Sequence, residues 1–308
     1  AFAGFLELEQ QSHDDKLQYR IGWLFLYGVG TGKDEAAARE WFERASKLGN
    51  PHAQYQLARM ILDAPSSTPE QTAQALEWLT KAAEAGQDCA QYAFGKIYRE
   101  GQEIEKDIQQ AVELFTLAAE QGNSFAAFAL GKLYLSGDAG LPIDPPSALK
   151  WLTFSAELGN QFAQYRLGKL LLQGEEVPKD TEAAIRWLTA AAEQGNQYAQ
   201  YALGKLYLLG KEVPKDKSNA IKWFQLAADQ GNEYAKYFLE HMDDRLGQPP
   251  AAAVISLLHH LANIFQEQSQ PPSDGIRVAV DRKLLRKIKA KKIAQGHKAD
   301  DHEPEMKF

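Results

Sequence analysis

Aromatic and basic side chains recur together along this chain, four residues apart, at intervals of 36 or 37 residues. Residues four apart lie on the same face of an α-helix, so the pattern predicts a row of aromatic rings beside a row of cations. Cations attract anions, and aromatic rings offer apolar area or a stacking surface. The chemistry expected of this pattern is non-covalent anion binding. We call it the aromatic–basic ladder, and its members are Tyr55, Arg59, Tyr92, Lys96, Phe128, Lys132, Tyr165, Lys169, Tyr201 and Lys205.

Three interpretations of the ladder remain open at the level of sequence. The tyrosines belong partly to the core and the lysines to a solvated face, or the ladder binds an acidic peptide or carboxylate, or it binds a nucleic-acid strand. The chain outside residues 276–298 carries a net charge of −15, because that segment is +8 and the whole chain is −7. Since phosphate binding needs a net basic footprint, this charge disfavours nucleic acid in the ladder.

An internal repeat must position these side chains. One glycine recurs every 36 or 37 residues, at Gly49, Gly86, Gly122, Gly159, Gly195 and Gly231. Each unit reads as two helices: a first from about Gln197 to Leu208, ended by Gly210, and a second that begins after Asp216. A helix pair of this size cannot bury its apolar face alone, so stacked neighbours are expected to form a solenoid.

The ending "AxxWLxxAAExGN" and the extra glycine in the turn resemble the Sel-one-like repeat, a relative of the tetratricopeptide repeat, over roughly residues 1–245. The resemblance implies an all-α, right-handed α/α solenoid that serves as an adaptor and not as a catalyst. It also implies that the ladder faces the concave groove, where it would bind a protein or acidic peptide. The predicted solenoid spans 1–247, with a degenerate half-repeat at 1–13, and the second unit has an unusual loop from Asp63 to Gln71.

The C-terminal region departs from the repeat. Residues 248–268 are predicted to form a capping helix, and 269–308 a linker and basic tail. Candidate surfaces for the tail are DNA, RNA, anionic lipid or an acidic protein; a solvated tail, or docking onto the acidic body of the chain itself, are the alternatives. The tail cations expected to make the contact are Arg282, Lys283, Arg286, Lys287, Lys289, Lys291 and Lys292.

The tail string "DRKLLRKIKAKKIAQGHKADDHE", which follows the helix "LLHHLANIF", also resembles the C-terminal end of long mobilisation relaxases of gut Firmicutes. That resemblance implies the accessory, non-catalytic region of a plasmid or conjugative-element protein. Such a region would position the relaxase on DNA or on its transfer partners, and the catalytic domain would lie upstream of residue 1.

Composition narrows the remaining function classes. The single cysteine, Cys89, permits no intrachain disulfide and is expected to pack and not to react, which favours a reducing, cytoplasmic location. No apolar run reaches the length of a membrane span. No phosphate-binding glycine loop, zinc-ligand pair or nucleophile motif is present, so no cofactor, metal or catalytic residue is predicted. The chain begins at Ala1 and not at Met, so we expect it to be part of a longer or processed protein; its oligomeric state stays open.

Overall fold

The computed structural model describes residues 2–64, 67–101, 104–138 and 140–240, and all regular elements in these ranges are α-helices. The helices are α1 (Phe2–Ser12), α2 (Asp15–Tyr27), α3 (Glu35–Lys47), α4 (Pro51–Leu62), α5 (Pro69–Glu84), α6 (Asp88–Glu100), α7 (Ile108–Glu120), α8 (Ser124–Ser136), α9 (Pro145–Glu157), α10 (Gln161–Gln173), α11 (Thr181–Glu193), α12 (Gln197–Leu209), α13 (Lys217–Asp229) and α14 (Glu233–Glu240).

A two-helix unit occurs six times, from α2–α3 to α12–α13, with α1 and α14 at the two ends. Each first helix packs against the second helix of its own unit and against the second helix of the unit before it. The predicted all-α solenoid is therefore confirmed. The first helix expected from about Gln197 to Leu208 is observed one residue longer, from Gln197 to Leu209.

The glycine of the repeated Leu-Gly-Lys string sets how closely the two helices of a unit approach. A Cβ on Gly204 would lie 2.7 Å from the ring of Phe224, and one on Gly168 would lie 2.7 Å from Cγ of Leu188. Both distances are shorter than any real Cβ contact, so a side chain there would push the helices apart. Phe224 and Leu188 are fully buried, and their packing holds each first helix at a fixed distance from the second.

Capping residues define where each helix begins and ends. Asp216 accepts a hydrogen bond from the backbone N–H of Asn219 at 3.0 Å, which confirms the cap predicted for the second helix. Asn196 caps α12 in the same way through the N–H of Ala199. Such a cap stabilises a helix by about 1 kcal/mol. Gly210 ends α12 with a φ of +66°, a conformation that glycine adopts without strain.

The second unit corrects one sequence prediction. The stretch from Asp63 to Gln71 was expected to form a loop, but α5 already begins at Pro69. The Thr68 side chain accepts from the N–H of Gln71, and the Gln71 side chain accepts from the N–H of Thr68, which forms a capping box. Because proline fits the first position of a helix, Pro69 starts this one where the sequence reading placed a loop.

The predictions for the C-terminal region lie outside the described residues. These are the last part of the solenoid at 241–247, the capping helix at 248–268, and the linker and basic tail at 269–308. At the other end, α1 occupies the segment that was assigned to a degenerate half-repeat. In the described part of the chain, no helix is long and apolar enough to cross a membrane.

Candidate functional site

The aromatic members of the ladder pack between neighbouring first helices. Four of the five rings meet an aromatic ring of the next first helix, with centroids 6.0–6.4 Å apart, in the pairs Tyr92–Phe125, Phe128–Phe162, Tyr165–Tyr198 and Tyr201–Tyr234. Tyr92 is only 9% exposed. Burial raises the pKa of Tyr165 and of Tyr201 to about 12. The ladder rings therefore belong mainly to the packing that joins one unit to the next.

Sequence reasoning missed the second ring of each pair. These rings occupy the third position after the recurring glycine, as Tyr198 follows Gly195. A repeated aromatic at that position was the signal that could have found them. Two units depart from the pattern: His52 lies 5.5 Å from Tyr19, and Cys89 takes the place in α6. Cys89 is half-buried, and burial raises the pKa of its thiol, as expected for a packing residue.

Three of the five basic members of the ladder lie over aromatic rings of their own helices. Nζ is 5.8 Å from the ring centroid for Lys96 above Tyr92, 5.8 Å for Lys132 above Phe128, and 5.9 Å for Lys169 above Tyr165. These distances fall within the range of about 6 Å for cation–π attraction. The rings thus form an inner layer and the lysines an outer one. We call the surface that carries this outer layer the first-helix face.

The central cations of the first-helix face lie near one another. Burial first, and then Arg99 and Arg166, lower the pKa of Lys132 to about 8. Burial first, and then Arg166 and Lys205, lower the pKa of Lys169 to about 8. Arg166 was not among the predicted site residues, because its closeness to both lysines depends on how the units stack. The three helices α8, α10 and α12 carry Lys132, Arg166, Lys169 and Lys205 and no acidic residue, whereas Arg99 lies on α6.

In the N-terminal part of the first-helix face, an acidic side chain lies beside the cation. Nε of Arg59 lies 3.8 Å from the carboxylate of Asp63, one turn along α4. Although burial lowers the pKa of Arg59, the side chains of Tyr55, Tyr27 and Asp63 together raise it. Burial raises the pKa of Asp63, and the charges of Arg59 and Lys96 oppose that shift. An acidic side chain thus offsets the cations at this end.

Buried glutamines hold the first helices in register with their neighbours. Nε2 of Gln164 in α10 donates to the carbonyl oxygen of Ala156 at 3.1 Å, and Oε1 of Gln164 accepts from Nε2 of Gln194 at 2.7 Å. The same two bonds recur one unit later around Gln200. Each net hydrogen bond is worth about 1 kcal/mol, and a buried amide left unpaired would cost more. This network fixes the helices on which Lys169 and Lys205 stand.

The fourth unit replaces that network with a different bond. Ala127 stands where the first helices of the other five units have glutamine, and Ser155 stands where the second helices of those units have alanine. Oγ of Ser155, which is fully buried, donates to the carbonyl oxygen of Ser124 at 2.7 Å. The position of α8, and with it Lys132, is therefore also fixed by a buried polar contact.

Among the residues that the structure describes, no group of three or more His, Cys, Asp or Glu could hold a metal ion. The tail cations between Arg282 and Lys292 lie outside the described residues, so their assignment stays a prediction. The first-helix face likewise stays a predicted site.

Comparison with known proteins identifies the repeat. The Sel1 repeat family model matches residues 16–50, 51–87, 90–123, 124–160, 161–196 and 197–232. A Sel1 repeat protein from Oxalobacter formigenes is 33% identical, with a TM-score of 0.65, over 75% of this chain and 66% of that one. A protective antigen of uropathogenic Escherichia coli with an SLR fold is 28% identical, with a TM-score of 0.70, over 96% of this chain and 65% of that one.

The chain therefore spans about two thirds of the length of both structures. No curated protein matches it. The six family matches follow one another along the array, and they coincide with the six helix pairs of the structure. This chain belongs to the Sel1 repeat family.

Proposed function

We propose that this chain is a protein-interaction scaffold that binds an acidic peptide segment across α8, α10 and α12. Sel1 repeats form protein-binding scaffolds that are generally non-catalytic. One observation carries the finer proposal. Three consecutive first helices present Lys132, Arg166, Lys169 and Lys205 with no acidic residue, in a chain whose net charge is −7.

The burial of these cations favours a carboxylate ligand. Lys132 and Lys169 are half-buried, and burial together with nearby like charges lowers the pKa of each to about 8. A carboxylate placed beside Arg166 would interact with both lysines at once and offset that repulsion. Charge-assisted hydrogen bonds of this kind are stronger than neutral ones, particularly where water is partly excluded.

The charge of the rest of the chain favours a peptide over a nucleic acid. Four cations form a small footprint within a body that carries −15 outside residues 276–298. A nucleic-acid strand carries phosphates well beyond such a footprint, and the net charge of the remaining chain would repel them. A short acidic peptide places its charges only where the cations are.

The test is charge reversal at the centre of the first-helix face. In Lys132→Glu with Lys169→Glu, we expect the affinity for a fluorescein-labelled, glutamate-rich 12-residue peptide to fall by at least about tenfold. The measurement is fluorescence anisotropy at about 0.15 M salt, where non-specific attraction is screened. Circular dichroism of each variant confirms that the helices persist, and a single-stranded DNA of equal length serves as competitor.

The chain offers a matched control pair on the second helices. Lys150 and Lys222 also lie over aromatic rings, with Nζ 5.2 Å from the centroid of Trp151 and 5.3 Å from that of Trp223. Lys150→Glu with Lys222→Glu makes the same change in net charge and should leave peptide affinity nearly unchanged. Equal losses in both double variants would contradict the proposal, because only net charge would then matter.

We also propose that the basic tail contacts an anionic surface, with DNA as the favoured candidate. Support comes from the sequence: nine basic residues and one acid between Ile276 and Lys298. Removal of residues 276–308 should abolish a DNA affinity that falls steeply with salt. Equal DNA binding by the shortened chain would contradict this part. The relaxase interpretation rests on the same residues and also predicts DNA as the surface.

A further inference from the structure

We infer that the first-helix face has an apolar anchor site at its N-terminal end, formed by Trp23 and Tyr27 of α2, which takes a proline residue of the acidic peptide. The inference rests on the proposed function, because it supplies a second contact for the same ligand. It makes the ligand bipartite, with a proline at one end and a run of carboxylates at the other.

The positions of Trp23 and Tyr27 in the repeat place both residues on the first-helix face. Trp23 follows Gly22 just as Lys132 follows Gly131, so it occupies the basic position of the ladder. Tyr27 lies one helical turn further, at the position that Asp63 holds in α4. In this unit an aromatic pair therefore replaces the basic and acidic side chains.

The exposure of the pair distinguishes it from the other rings of the ladder. Trp23 is 38% exposed and Tyr27 is 50% exposed, whereas Tyr92 is 9% exposed. The two ring centroids lie 4.8 Å apart with their planes at 44°. Adjacent exposed aromatic side chains on a folded surface mark binding sites more often than isolated ones do. Paired aromatic faces of this kind hold proline-rich segments in their extended conformation.

The aromatic pair contacts the next first helix of the face. Tyr27 interacts with Arg59 in the next first helix, and Arg59 is paired with Asp63. The face therefore changes from apolar at α2, through a balanced region at α4, to purely basic at α8, α10 and α12. A ligand with matching chemistry has an apolar end, an uncharged spacer and an acidic run.

The geometry of the stack gives the length of the spacer. Packed helices lie about 8–10 Å apart, and three units separate α2 from α8, so the distance to span is about 25–30 Å. A flexible Gly/Ser segment of n residues has an end-to-end distance of about 5–6 Å × √n, so a spacer of about 20–30 residues matches that distance. Linking two weak contacts at a matched distance raises the affinity without any new interaction.

The test uses three labelled peptides against the full chain. The first has a proline pair, a Gly/Ser spacer of about 24 residues and four glutamates. The second replaces the prolines with Gly-Ser, and the third shortens the spacer to three residues. We expect the first peptide to bind about tenfold more tightly than the other two. The advantage should disappear in Trp23→Ala and in Trp23→Lys, the second of which restores the side chain of other units.

Leu117→Ala is the control variant, because Leu117 is 49% exposed but lies on the second helix α7. It should keep the advantage of the first peptide. If all three peptides bind equally and Lys132→Glu with Lys169→Glu still weakens them, the anchor site is overturned and the proposed function stands. If no peptide binds the unmodified chain, the proposed function fails and the anchor site fails with it.

Discussion

The N-terminal and central parts of the first-helix face are built from the same repeat but differ in how their cations are balanced. At the N-terminal end, Arg59 is paired with Asp63 at 3.8 Å. At the centre, Lys132 and Lys169 lie among other cations, and burial and like charge lower the pKa of each to about 8. The comparison shows that the same helical repeat carries a charge-balanced surface at one end and a basic surface at the centre.

One sequence position accounts for the difference. Four residues after the basic member, one turn along the helix, the earlier units have an acid at Asp63 and Glu100. The later units have Ser136, Gln173 and Leu209 at that position. The acid at this position neutralises a neighbouring cation, since Asp63 pairs with Arg59 four residues before it and Glu100 pairs with the adjacent Arg99.

The largest expected effect comes from disrupting the close packing of the two helices in one central unit. Gly168→Val should destabilise the fold by about 3 kcal/mol, because its branches would overlap Leu188 and the carbonyl oxygen of Ala184. Urea unfolding measures the loss. Ala58 holds the same position in the second unit and already carries a Cβ, so Ala58→Gly should cost only about 1 kcal/mol. Equal effects would mean that close helix approach is not special to the glycine units.

A smaller effect follows from making the centre resemble the N-terminal end. Ser136→Glu with Gln173→Glu places an acid one turn after each central lysine and should lower the affinity for the glutamate-rich peptide about tenfold. Lys150→Gln with Lys222→Gln makes the same change in net charge on the second helices and should have little effect. Anisotropy titrations of the two double variants compare them directly. If Ser136→Glu with Gln173→Glu binds the peptide as tightly as the unmodified chain, local neutralisation of the cations is not what separates the two regions.

The smallest effect is a pH dependence confined to the centre. Peptide affinity should fall several-fold as pH rises through about 8, since Lys132 and Lys169 lose their charge there, whereas Arg59 keeps its own. The free energy of unfolding should instead rise as the pH rises. The folded pKa of each lysine lies below its unfolded value of 10.5, so the unfolded chain binds more protons between pH 8 and 10.5.

The free energy of unfolding should therefore rise across that pH window. Urea titrations at pH 7 and pH 9.5 measure it, and Lys132→Met with Lys169→Met is the reference, since it should remove most of the rise. A rise of equal size in the reference variant would assign the effect to other groups.

The sequence predicted the parts of this molecule that depend on local spacing. The caps at Asp216 and Gly210 follow from residue type and position, and the stacking of units follows from a regular period. The pairing of Tyr165 with Tyr198 was not predicted, because it joins residues 33 positions apart on different helices. The closeness of Arg166 to Lys132 has the same origin. The Arg59–Asp63 pair is local, and the four-residue rule would have found it.

Zero-length crosslinking tests directly whether an acidic peptide binds at the centre of the first-helix face. A glutamate-rich peptide is coupled to the full chain with a carbodiimide at pH 7, and mass spectrometry locates the lysines that form amide bonds. A peptide with one glutamate controls for the intrinsic reactivity of each amine. We expect the crosslinks to concentrate at Lys132, Lys169 and Lys205. Crosslinks concentrated at Lys106, Lys150 and Lys222 would contradict this expectation.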